Sequence, residues 1–267
     1  MLTAICLLAG GLPSAESLAE EREKRELRIG PELYSYTYTE PGIMEDKGYL
    51  YGLAASYSWY GDAFFRLDGR LATGKVDYTS RRTGSADNID YSVFEIRGLF
   101  GRSFNFSAEK EITLYAGLGY RYLYDDFGGR VISAKYWSYD RESNYYYLPV
   151  GLELLSGSTG AWSHALILEY DYFLMGKQVS YLGNESPDYL NVTNDQDSGY
   201  GWRVAIRFQR ELKEGMLVLE PFARYWHIDR SDLSIATRPG VSPIEIGYEP
   251  ANETKELGVR FTWKFHR

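Results

Sequence analysis

Leu257-Gly258-Val259-Arg260-Phe261-Thr262-Trp263-Lys264-Phe265 runs almost to the end of the chain in strict alternation. The odd positions read Leu, Val, Phe, Trp, Phe, and the even positions between them Gly, Arg, Thr, Lys. A period of two is the signature of an extended strand with one apolar and one polar face. In a soluble sandwich the apolar face would meet a second sheet. In a membrane barrel it would meet lipid, and the polar face would line the lumen. One strand does not choose between these, so the rest of the chain must.

The same alternation recurs upstream. Strands are expected near 32–40, 49–60, 63–76, 91–102, 112–125, 145–154, 162–179, 200–209 and 216–228, with the last over 257–265. Tyr34, Tyr36 and Tyr38 share one face of the first, which Pro41-Gly42 stops. Pro149 and Pro221 lack an N–H for the ladder, so a bulge or local break is expected at each. The connections read alternately long and short, with polar loops at 81–88, 127–143, 183–197 and 231–253. About ten strands of this length, with the long loops on one side, give an all-β fold. The expected architecture is a single antiparallel up-and-down transmembrane β-barrel over 32–267. No stretch of about eighteen apolar residues exists to cross a membrane as a helix.

Composition narrows the function classes. The 267 residues are 44% hydrophobic and 25% charged, with a net charge of −8. That balance argues against nucleic acid as a partner. The 25 Tyr are expected mainly at the membrane–water boundary, where an apolar ring and a wet hydroxyl are both satisfied. The only cysteine, Cys6, lies in a short apolar run, Leu2 to Leu12, with the length of a signal-peptide core. Ser17-Leu18-Ala19 offers a cleavage site, so 1–19 is read as a signal peptide and 20–31 as a charged periplasmic lead-in.

Val259, Phe261, Trp263 and Phe265 match the alternate apolar positions and near-terminal aromatic of bacterial outer-membrane β-barrels. His266 and Arg267 depart from the pattern, which usually ends on the aromatic itself. The chain therefore resembles the small Gram-negative outer-membrane barrels. The resemblance implies export to the outer membrane, contact with lipid and lipopolysaccharide, and the outer-membrane barrel assembly machinery as a partner. The four residues would then be the assembly signal. The resemblance names no activity.

In this register the lumen collects Arg66, Asp68, Arg70, Glu95, Arg97, Arg121, Glu153, Glu169, Asp171, Arg203, Arg207, Glu220, Arg224, Arg260 and Lys264. Charges of both signs at membrane depth favour pairing. A ten-stranded barrel is little wider than its side chains can fill. The expected outcome is a structural salt-bridged lumen in a non-enzymatic envelope or surface protein. A narrow porin-like pore for ions or small solutes is the alternative. His227 and Asp229, near a strand end, superficially resemble the Asp/His pair of omptin proteases in reversed order and stand as a second alternative. No catalytic, metal or cofactor site is otherwise assigned. The loops 127–143, 183–197 and 231–253 are the candidate surfaces for an extracellular or envelope partner.

Overall fold

The computed structural model describes residues 25–61, 63–107, 110–132, 136–157 and 162–265. The signal segment with Cys6, the first part of the lead-in, and His266 and Arg267 lie outside the described residues. Ten long strands follow one another: β1 (Arg25–Glu40), β2 (Met44–Tyr60), β3 (Phe64–Ser80), β4 (Gly84–Ser107), β5 (Lys110–Asp126), β6 (Arg141–Ser156), β7 (Trp162–Ser180), β8 (Gly199–Leu212), β9 (Gly215–Ile228) and β10 (Asn252–Phe265). Each pairs antiparallel with its sequence neighbours. The terminal strand closes the ring on β1, with Leu27 opposite Phe265 and Thr39 opposite Glu253. Closure leaves the ring of ten long strands without an open edge.

The alternating residues sort as a lipid-facing wall requires. Leu257 is 67% exposed, while Glu256 beside it is 2% exposed. Trp59, Phe65 and Phe100 stand in register on the outer faces of β2, β3 and β4, toward the short-turn end. Tyr170, Trp202 and Tyr225 form a matching row on β7, β8 and β9 toward the other end. Aliphatic residues such as Leu53, Leu71, Leu118 and Ile206 cover the wall between the rows. Two aromatic rows around an apolar band are what a bilayer selects. Beyond the second row the outer face turns polar. Thr37, Thr39, Glu45 and Lys47 occupy it on β1 and β2, and Lys75 pairs with Asp90 in the open at 2.7 Å. Strands of sixteen or seventeen residues exceed the nine to eleven or so that span hydrocarbon. They therefore continue past the apolar band.

Several expectations need correction. Tyr34, Tyr36 and Tyr38 do not lie at a boundary: they are 1%, 0% and 5% exposed, inside the barrel, with Tyr91, Tyr145 and Tyr147. Tyrosine serves both sides of the wall, because its hydroxyl can bond in the lumen as well as in the headgroup region. β1 spans Arg25–Glu40, so Arg25 to Pro31 belong to a strand rather than to a lead-in. Residues 84–88 are likewise strand, and the expected loop at 81–88 shrinks to a turn. Two of the five connections at the long-loop end are tight turns. In the first, Pro41 presets φ, Gly42 supplies φ of +81°, and Ile43 N donates to Glu40 O at 2.9 Å. The other three connections hold short strands: Val131–Ile132 with Tyr136–Trp137, Val192–Gln196 on the end of β7, and Ser234–Ile235 with Ile246–Gly247. Near Pro149 the β6–β7 register slips between Tyr146 and Tyr147. At Pro221 the β8–β9 pairing is interrupted between Ala205–Phe222 and Phe208–Leu219 but resumes in the same register, so there is a gap and no bulge.

Candidate functional site: the ionic lumen

All fifteen charged residues expected on the polar face point into the barrel, and fourteen of them form ion pairs there. Because alternate residues of every strand face inward, long side chains from opposite strands meet near the axis. Arg121 of β5 reaches Glu256 of β10 at 3.0 Å, half-way round the ring. Arg203 of β8 bridges Glu95 of β4 and Glu169 of β7 at 3.0 and 3.1 Å. Arg70 of β3 contacts three carboxylates: Glu95 at 2.5 Å, Glu256 at 3.0 Å and Glu32 of β1 at 3.4 Å. Arg224 adds a pair to Glu256 at 2.8 Å. Arg97 joins Glu169 at 2.5 Å and Asp68 at 3.0 Å.

Nearer the short turns the network continues. Arg207 pairs with Glu220 at 2.8 Å and with Glu153. Arg66 lies between Asp68 at 3.3 Å and Glu153 at 3.5 Å. Arg260 joins Glu32 at 2.8 Å to Glu220 at 3.2 Å. Lys264 meets Glu26 at 2.6 Å, and Arg28 meets the same carboxylate at 2.7 Å. Asp171 is the exception: it is 1% exposed, in no ion pair among the described residues, with one carboxylate oxygen unbonded. The sequence reading missed Glu26, Arg28, Glu32 and Glu256. The signal was present, since Glu26 and Arg28 alternate with Leu27 and Ile29, and Glu256 continues the even positions of the last strand.

Above the ions an aromatic layer narrows the passage. The hydroxyls of Tyr36 and Tyr91 are 2.6 Å apart. Tyr147 packs edge-on against Trp226 at 4.9 Å and donates to Glu95. Arg121 lies over the Trp226 ring at 5.5 Å. Phe222, 6.0 Å from Tyr34 between ring centres, faces inward from the same strand as Trp226.

A second ionic cluster sits above the apolar band, at the level of the polar outer collar. Arg141, the first residue of β6, bonds Glu40 at 3.0 Å, Asp46 at 2.7 Å and Asp125 at 2.8 Å. Tyr38 donates to Glu40 at 3.2 Å and to Glu249, from the 229–251 connection, at 3.1 Å. Three buried carboxylates thus share one guanidinium, and Glu249 joins them through Tyr38. Burial is the largest cause raising all four carboxyls: Asp46 to about 7 and Glu249 to about 8, the latter pushed further by Glu40. Arg141 opposes the rise but cannot neutralise all of them.

His227 and Asp229 do bond, Nε2 to Oδ1 at 3.1 Å. The histidine stands on the outer wall against Tyr200, with ring centres 5.4 Å apart. Ser198 donates to the other oxygen of Asp229 at 2.6 Å. The aspartate therefore sits between hydroxyl and imidazole, whereas nucleophile activation needs the histidine in the middle. His164 is exposed on the outer face of β7.

No family model matches the chain, and no curated protein sequence does. Solved structures do match. The outer membrane protease OmpT from Escherichia coli superposes with a TM-score of 0.58 at 7% identity, over 91% of this chain and 96% of that one. This chain has the fold of an outer-membrane β-barrel. The translocator domain of the autotransporter NalP from Neisseria meningitidis matches at 9% identity over 94% and 93% of the two chains, with a TM-score of 0.43. The toluene transporter TbuX from Ralstonia pickettii matches at 7% identity over 91% and 89%, with a TM-score of 0.40. At such identities a shared barrel carries no shared activity.

Proposed function

We propose that this chain is an integral outer-membrane protein of the Gram-negative envelope, with a lumen that does not conduct and no catalytic role. Its short turns and termini face the periplasm, and the connections 127–140, 181–198 and 229–251 face outward as its contact surface. One observation carries this reading: ion pairs tie opposite strands across the axis, as Arg121 to Glu256 and Arg203 to Glu95 do. A passive pore keeps its axis clear and its charges on the wall. Here guanidinium groups occupy the axis, Arg70 held by three carboxylates, Arg203 by two and Arg121 by Glu256. The proteins with similar barrels include a protease, transporters and a surface protein by description, so the fold leaves the role to be read from the lumen.

Purified protein inserted into planar bilayers tests the proposal. The expected result is a silent bilayer, with no discrete current steps at ±100 mV or so. Stable, ion-selective steps would replace this reading with that of a narrow pore.

A further inference from the structure

The ion network does not fill the lumen evenly. Below the Arg70–Glu95 pair it leaves a chamber of about 50 Å³. A buried water needs roughly 10–15 Å³ by this measure. The chamber therefore takes several waters, or one polyatomic ion of four or five heavy atoms. Its existence follows from small side chains: Ala54, Ser56 and Ala205 face it where neighbouring strands send in arginines.

The wall is electrically lopsided. It carries seven arginines, Arg28, Arg66, Arg203 and Arg207 among them, against three carboxylates, Asp68, Glu95 and Glu220. Glu26, Glu32, Glu153, Glu169 and Glu256, which complete the ion pairs, stand outside the wall. Three guanidinium N–H groups are also poorly aligned with their ion-pair partners. The Nε groups of Arg28, Arg66 and Arg203 lie 2.7, 3.3 and 3.1 Å from carboxylate oxygens, yet none makes a hydrogen bond. All three arginines are more than nine-tenths buried. A buried donor without an acceptor is costly, and a planar guanidinium fork fits an oxyanion better than it fits water.

The chamber has an entrance. A vestibule of about 900 Å³ opens among Tyr60, Asn105, Glu111 and Met216 at the short-turn end, and Arg66 and Arg207 line both spaces. Above the chamber, Arg70, Tyr147 and Trp226 close the way.

We propose that this chamber binds a small oxyanion of the size of inorganic phosphate, admitted from the short-turn end. The site is blind, and it stands whether or not the barrel passes current. The test uses the full barrel in a neutral detergent, unfolded by heat at constant ionic strength with chloride progressively replaced by inorganic phosphate. The expected result is a saturable rise of the midpoint by roughly 5 °C. Ala205→Val puts methyl groups into the chamber and leaves every ion pair in place, and in that variant the rise is expected to vanish. An equal rise in both proteins, or none in the wild type, would overturn the proposal. Should the variant not fold, equilibrium dialysis of labelled phosphate against the wild-type barrel decides. About one phosphate retained per chain, displaced by sulfate but not by chloride, supports the site, and no retention refutes it.

Discussion

Arg70→Met is expected to lower the stability of the folded barrel by about 3–5 kcal/mol, the usual cost of removing one partner from a buried ion pair. The side chain is 4% exposed and contacts Glu32, Glu95 and Glu256. Methionine would fill much of the volume but leave three carboxylates crowded without their shared cation. Arg224, Arg203 and Arg260 would compensate in part, since each already contacts at least one of the three. Urea unfolding in lipid vesicles measures the effect. Lys75→Met is the control: its pair with Asp90 is more than half exposed on both sides, and no measurable change is expected. If Arg70→Met were as stable as the wild type, the lumen ions would not be holding the barrel together.

The second large effect is a dependence of the outer mouth on pH. Glu40, Asp46, Asp125 and Glu249 face Arg141, Tyr38 and one another, with Asp126, Asp140, Tyr78, Tyr139 and Tyr145 close by. Asp46 is raised to about 7 and Glu249 to about 8, from ordinary values near 4. Between those limits the ordered mouth holds protons that the open chain has released. Stability then falls as pH rises, because the folded state binds more protons than the unfolded one. The contribution is complete below the ordinary carboxylate values and is lost as pH passes 7 to 8. Hydrogen exchange in residues 229–251, corrected for the intrinsic chemical rate, is expected to be slower at pH 6 than at pH 9. The difference should be at least tenfold, and Glu249→Gln should flatten it. A profile independent of pH in the wild type would contradict the assignment.

How far the sequence carried can be judged at particular residues. Leu257 and Arg260 fall on opposite faces because alternation needs no knowledge of neighbours, and the same rule places Arg203 and Arg207 of β8 inside. The rule failed where its premise lapsed. Past the apolar band the outer face of a strand meets water, so Glu45, Lys47 and Ser85 read as loop although the backbone still pairs. Glu26 and Arg28 were lost the same way, inside a run whose charge suggested solvent. Tyr34 and Tyr36 were misplaced because the chemistry that suits an interface also suits a polar lumen. Which carboxylate meets which guanidinium was not legible at all. Arg121 and Glu256 are 135 positions apart, and only ring closure and strand tilt bring them together.

The account depends on which side of the wall meets hydrocarbon, and two tryptophans report on it directly. Trp202 is 40% exposed on the outer face of β8, and Trp226 is 2% exposed in the lumen. Variants retaining one or the other, with the remaining tryptophans changed to phenylalanine, can be reconstituted into vesicles of brominated lipid. The account predicts strong quenching of Trp202 fluorescence and little quenching of Trp226. Quenching of Trp226 with Trp202 untouched, or of neither, would contradict it.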